Sequence, residues 1–399
     1  MKRIVTLPYL ILYGMGTTLG AGIYALVGKV AGLAGTYAPL SFLIASLLAV
    51  LSALSFAELG SRFPKSAGVP VFVQQGFNNV TLSSLLGLLV AVSGVVSAAA
   101  LANGFAGYAA EFTSLDASFL IAGMILILGG IAAVGVGVSI KFAAVITIIE
   151  IVGLLLIIGS AWFAPGGEAA PAPEAGFSDF PFVGLFAGAV LAFYAFIGFE
   201  DMVTMAEEVE NVAKTMPRAI IVTILLTTTL YVLVSASTLI VMDAGSLAAS
   251  DAPLARVFEV ATGRSAYIIS LISMVAIING ALIQIMMGAR LSYGMAKEGW
   301  LPKALAQVNP KTRTPLVATI GITGITLILA LWFPIVPLAR ATSLIILFIF
   351  TMVNAALVAV KFQHKDKTGR NHFSVPLAVP VLGALVSAGV MVFELIRLL

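Results

Sequence analysis

Three places in the chain put chemically capable groups inside otherwise apolar runs. The first is GMGTTLGAG, from Gly14 to Gly22, with four glycines in nine residues. Gly14, Gly16 and Gly20 spell G-x-G-x-x-x-G, but a dinucleotide fingerprint needs a preceding strand and a βαβ unit, and here both flanks are apolar runs of helical length. Two readings stay open. Small residues at this spacing let helices pack closely, or the helix is unwound and its freed peptide groups bind a solute. The second place is FYAFIGFEDMVTMAEEVENVAKTMPRAI, from Phe193 to Ile220, where Glu200 and Asp201 follow a single glycine. An ionised carboxylate at the middle of a membrane helix costs about 2.5–3.5 kcal/mol, so such a pair faces a cavity or a partner. Glu207, Glu208 and Glu210 crowd the end of that run and read as a solvated helix end. The third is Glu150 in TIIEIVGLLLIIG, nine residues beyond Lys141. Along a helix that is roughly 13 Å, close to the middle of a bilayer. Ionised, Glu150 wants a cation such as sodium or a basic partner, and none is evident at that depth. Protonated, it gives up its proton when the cavity floods. A neutral Glu bonded to nearby backbone is the plain alternative.

The elements that carry these groups follow from composition. Of 399 residues, 60% are hydrophobic and 10% charged, with a mean hydropathy of +1.11. A soluble domain carries about a quarter charged residues, so this is a membrane chain, and the composition excludes a nucleic-acid binder despite a net charge of +3. With no cysteine, disulfides, thiolate metal sites and cysteine nucleophiles are excluded too. Apolar segments of about 20 residues fall at 8–30, 38–58, 83–110, 117–138, 142–164, 182–206, 218–241, 266–295, 315–334, 339–361 and 375–397. None alternates as a barrel strand does. The fold class expected is all-α: a polytopic membrane protein with eleven transmembrane helices. MKRIVTLPYLILYG mimics a signal peptide but lacks a cleavage site, and reads as the first span.

Cationic loop residues mark the cytoplasmic side. With the N-terminus inside, Lys2, Arg3, Arg62, Lys65, Lys141, Lys214, Arg218, Arg290, Lys297, Lys303, Lys311, Arg313, Lys361, Lys365, Lys367 and Arg370 fall inside. Lys29, Arg256, Arg264, Arg340 and Arg397 fall outside. The outer Pro/Gly/Ala-rich stretch 164–176 and its neighbour Asp179 add acids instead, with Glu168 and Glu174. The reading is a multi-pass protein of the cell (inner) membrane, N-terminus cytoplasmic and C-terminus external. Spans 1 and 6, the two with odd chemistry, each open a block of five. Five is odd, so the second block inserts upside down, and an inverted repeat with interrupted first helices is a transporter architecture. The expected division is a core over 1–361, made of repeats 1–164 and 165–361, followed by 362–399 as an inner loop and an extra helix.

Four motifs in order carry a family resemblance. GMGTTLGAGIYALVG resembles the G-x-x-x-G-[SAT]-G-I-[FY] segment of amino acid permeases of the APC (amino acid–polyamine–organocation) superfamily. The Phe193–Ile220 run resembles their sixth-span motif. INGALIQIMMGARLSYGMAKEGWLP resembles the eighth span with its inner loop, and ATSLIILFIFTMVNAALVAVKF matches the tenth less sharply. The resemblance covers about residues 5–361 and implies the LeuT-like inverted repeat with discontinuous helices 1 and 6. The family usually has twelve spans, so eleven leaves its usual dimer interface without support, and the oligomeric state stays open.

Carried over residue by residue, the resemblance places Thr17, Thr18, Ala21 and Gly22 at a substrate carboxylate. The outer half-helix begins near Gly22, with free N–H groups toward an anion, and Gly20 and Gly22 let the backbone approach. A side chain at Gly22 is then expected to occlude the amides while sparing the fold. Free carbonyls near Gly16 and Thr17, and those of Phe193, Tyr194, Ala195 and Phe196, suit an ammonium group. Tyr194 either covers the substrate side chain or is an ordinary packed aromatic. Asn103 and Tyr108 are pocket candidates, and Asn279 and Gln284 read as interhelical hydrogen-bond partners. Proton-coupled relatives often have Lys where Glu150 stands. Glu150, with Glu200 and Asp201, is therefore the ion or proton coupling candidate, with protons favoured and sodium an alternative.

The function expected is secondary active transport of an amino acid by alternating access, with no cofactor. A carrier of polyamines or other amines is the first alternative, kept open by Glu200 and Asp201. An intramembrane enzyme needs a nucleophile–base pair or metal ligands at depth. His364 and His372 both lie in a basic inner loop, so neither a pair nor a metal site is expected.

Overall fold

The computed structural model describes residues 3–20, 22–65, 68–134, 140–163, 182–297, 299, 301–363 and 372–398. The helices in chain order are α1 (Leu7–Leu19), α2 (Ile23–Ala34), α3 (Ala38–Arg62), α4 (Val69–Phe77), α5 (Val80–Ala109), α6 (Ala117–Val134), α7 (Ile140–Phe163) and α8 (Phe182–Phe193). They continue with α9 (Val212–Val241), α10 (Ala244–Ala249), α11 (Pro253–Thr262), α12 (Tyr267–Lys297), α13 (Leu316–Trp332), α14 (Ile335–Gln363) and α15 (Ala378–Leu398). Prolines sit in the first turn of α1, α3 and α4, where the missing N–H costs nothing. Asn79 starts α5 by accepting from the Leu82 N–H at 3.0 Å, an N-cap.

Among the described residues nine segments are long and apolar enough to cross a membrane, with Ile23–Arg62 taken as one run. The apolar α13 has only 17 residues, and α1 has 13. Pairing α1 with α2 as one interrupted crossing reproduces the order of the eleven expected segments. The protein is all-α and polytopic. α3 runs along α9, α5 along α12, and α6 against α13, while α1 meets α9 and α8 meets α3.

Two features lie beyond the sequence reading. The short helices α10 and α11 cover α2 at one end, where Lys29 Nζ donates to the Ala248 carbonyl at 2.8 Å. The last helix is joined to the core rather than merely added at its edge. Buried Glu58 on α3 accepts from Lys361 Nζ at 2.8 Å and from the Val375 N–H at 2.8 Å. Arg62 Nη2 lies 2.6 Å from the same carboxylate.

Candidate functional site

Both expected interruptions are present and they face each other. α1 ends at Leu19 and α2 begins at Ile23, so the first break is confined to three residues. Ala21, one of the candidate carboxylate residues, lies outside the described residues. In the sixth crossing, α8 ends at Phe193 and a 3-10 turn covers Tyr194–Phe196. Ile197 is then extended, Gly198 has φ +126, and Phe199–Met205 forms a second 3-10 stretch. Only glycine takes such a φ readily.

The breaks are tied by backbone and hydroxyl groups. Thr17 Oγ1 lies 3.0 Å from the Gly198 carbonyl, and Thr18 Oγ1 donates back to the Gly14 carbonyl at 2.7 Å. The Tyr231 hydroxyl, from α9, is 2.9 Å from the Thr18 carbonyl and 2.8 Å from that of Ala195, sharing one proton between the breaks. Tyr231 escaped the sequence reading, because an aromatic in an apolar helix looks like core. Its hydroxyl at mid-helix was the only signal.

Three expectations need correction. The Gly16 carbonyl is not free, since it accepts from the Gly20 N–H at 3.3 Å. The carbonyls of Thr18, Tyr194 and Ala195 also have partners, the second in the Ile197 N–H at 3.2 Å. Nor is there open space beside Gly22: a Cβ there would stand 2.1 Å from Ala195 Cα. A side chain at Gly22 therefore pushes the two breaks apart instead of sparing the fold. A Cβ at Gly16 would likewise run into Thr147 Oγ1, and one at Gly20 would stand 2.6 Å from the Ala276 carbonyl oxygen. At these glycines the packing reading describes what is seen.

Glu150 is fully buried on α7. Its Oε1 lies 3.5 Å from Asn279 Nδ2 on α12, and among the described residues its Oε2 has no partner. Among the described residues no cation stands within ion-pairing distance of it. The neighbouring Thr147 donates to the Leu12 carbonyl of α1 at 3.0 Å, and Tyr24 of α2 donates to the Glu150 carbonyl at 2.6 Å. Glu150 thus sits where the interrupted first crossing, α7 and α12 meet.

Glu200 and Asp201 do face a cavity. It measures about 20 Å³ and is lined also by Ser93, Ser97, Gln284 and Ile346, so it has room for water and not for an amino acid. Glu200 accepts from the Gly198 N–H at 2.9 Å, while Asp201 Oδ2 is buried without a partner among the described residues. Beyond it, Glu208 and Glu210 pair through their backbone with Ile4 and Val5, so that end of the crossing is held by the N-terminal segment as well as by solvent.

A profile of the amino acid permease family matches residues 6–396. The chain belongs to that family. It is 28% identical over 385 residues to the human cationic amino acid transporter 4, covering 91% of this chain and 60% of that protein. It is 27% identical over 409 residues to the branched-chain amino acid permease BcaP of Bacillus subtilis, covering 96% and 86%. The methylthioribose transporter of the same bacterium is 29% identical over 411 residues, covering 96% and 85%. The chain spans about three-fifths of the length of the first of these relatives.

The remaining candidates divide. Tyr194 is buried, its hydroxyl 2.9 Å from Ser97 Oγ and donating to the Ser97 carbonyl at 3.1 Å. Phe193 and Phe196 are buried beside it, in edge contacts with Phe350 and Tyr231. Asn103 does not join the breaks: its amide donates to the carbonyls of Ala99 and Ala330 at 3.1 Å, tying α5 to α13. Tyr108 donates to the Tyr24 carbonyl at 2.6 Å. Asn279 is an interhelical partner, as expected. Replacing Tyr194 with Phe keeps the ring and removes the hydroxyl from Ser97, so stability should fall by about 1 kcal/mol with the substrate ranking intact. Thermal unfolding and competition uptake read the two effects. A changed ranking at unchanged stability would make Tyr194 a specificity wall instead.

Proposed function

We propose that this permease carries amino acids by alternating access and couples their uptake to protons through Glu150. The observation that carries the reading is the meeting of two interrupted helices, bridged by Tyr231, inside a chain of the amino acid permease family. Paired breaks leave peptide groups at mid-membrane that a zwitterion can satisfy when the breaks part. Phe193, Tyr194, Ala195 and Phe196 on one side, and Gly16 to Gly22 on the other, are the substrate contacts of that state. The relatives named for cationic and branched-chain amino acids support the substrate class.

Proton coupling is supported by the surroundings of Glu150. A neutral acid is far cheaper to bury than a carboxylate, and among the described residues no cation stands within ion-pairing distance of Glu150. Glu200 and Asp201, beside a water-sized cavity, form the second half of the proton path. The same pair favours a second reading, transport of an organic amine, because a cation entering that cavity would find two carboxyl groups.

In the proposed arrangement the core comprises repeats 1–164 and 165–361, with 362–399 attached through Glu58. The Lys- and Arg-rich side faces the cytoplasm of a cell membrane. The decisive measurement is uptake into proteoliposomes under an inward proton gradient, with the twenty amino acids and common amines as competitors. Competition by amino acids, lost when the gradient is collapsed, is the expected result. Competition by amines alone would replace the reading with the second one, and a strict need for sodium would move Glu150 to a cation ligand.

A further inference from the structure

We propose that a basic groove at the start of α9 seats the headgroup of an anionic phospholipid from the surrounding bilayer. The groove encloses about 370 Å³ between the first turns of α9 and the segment that leads into α15. Lys214, Arg218 and His372 line it together with Pro217, Ile221 and Phe373, and among the described residues no acidic one lines it. Lys214 and Arg218 are exposed. Among the described residues no carboxylate comes within ion-pairing distance of either. Their charge is therefore available to an anion.

The apolar half of the groove says which kind of anion. Lys214, Arg218, Ile221 and Leu225 stand at i, i+4, i+7 and i+11, which is one face of a helix. Leu225 is 59% exposed and its neighbour Leu226 43%, so the face passes from two cations directly onto an apolar strip turned outward. A free phosphate uses only the cationic end. A phospholipid uses both: its phosphate lies between the two side chains and its acyl chains run along Ile221 and Leu225. Basic pockets at the cytoplasmic ends of membrane helices are suited to such headgroups, and cations near an anionic leaflet contribute individually. A lipid seated there touches both α9 and Phe373. It would brace the segment that Glu58 and Lys361 hold through Val375.

The test uses the full chain in detergent, titrated with phosphatidylglycerol, phosphatidylcholine or inorganic phosphate, and read by native mass spectrometry and thermal unfolding. Phosphatidylglycerol should be retained and raise the melting temperature, and the other two should do neither. The double variant Lys214→Gln, Arg218→Gln should bind phosphatidylglycerol roughly tenfold or more weakly while melting like the parent without lipid, because both side chains are exposed. On the unmodified protein, raising salt from about 0.1 M to about 1 M should weaken retention as well. Equal retention of phosphatidylcholine, or a double variant that holds phosphatidylglycerol undiminished, would overturn the assignment. A shift produced by phosphate alone would overturn the lipid in favour of a soluble anion.

Discussion

Glu150→Gln should leave substrate exchange intact and abolish concentrative uptake driven by a proton gradient. Gln has the shape of the protonated acid, can still meet Asn279 Nδ2 through its oxygen, and adds no charge to a fully buried position. The fold has little reason to change. What is lost is the ability to bind a proton from one side and release it on the other. In the parent protein, substrate should accumulate severalfold above the outer concentration when the outside is acidic, and the advantage should shrink as outer pH rises. In the variant, counterflow should run at a comparable rate while gradient-driven accumulation falls at least tenfold and its pH dependence disappears. The buried tyrosines Tyr24 and Tyr231 lie near Glu150, and the variant leaves both in place. A variant that still concentrates substrate with the parental pH profile would remove Glu150 from the coupling role and leave it a structural partner of Asn279.

The sequence showed where the chain is unusual better than it showed what touches what. The helix breaks were legible because glycine density at Gly14–Gly22 and a carboxylate pair after Gly198 conflict with an apolar helix, and such conflicts mark functional places. Glu150 and Asn279 were each singled out, but their pairing depends on the rotation of two helices about their axes, which periodicity in an all-round apolar segment does not reveal. Tyr231 was invisible for the same reason, since nothing in its own helix says that the hydroxyl spans both breaks. Asn103 had the right chemistry and the wrong neighbours. Glu58, in the AELGSR stretch, was not singled out at all, yet its carboxylate gathers Arg62, Lys361 and the Val375 N–H from three segments. Long-range polar contacts of this kind carry no local signature, and here they hold the segment that leads into α15.

Gly198→Ala should damage transport far more than the same substitution at another glycine of positive φ. Two costs fall on it together. Its φ of +126 is one that L side chains rarely adopt, a strain of about 1–3 kcal/mol. In addition, the new Cβ would stand 2.6 Å from the Thr17 carbonyl oxygen and 3.0 Å from the Thr18 nitrogen, so the sixth-crossing break has to move off the first. That movement pulls Thr17 Oγ1 from the Gly198 carbonyl and shifts Tyr231 away from one of its two acceptors. Gly263 supplies the control, because its φ is +64 and a Cβ there would meet nothing within 4 Å. Gly263→Ala should cost about 1 kcal/mol of stability and leave substrate affinity within about twofold of the parent. Gly198→Ala should lower apparent affinity at least tenfold even after the difference in melting temperature is matched by choosing the assay temperature. If the two variants lose stability and keep affinity alike, the close approach of the breaks is a packing feature, and the substrate contacts lie elsewhere in the core.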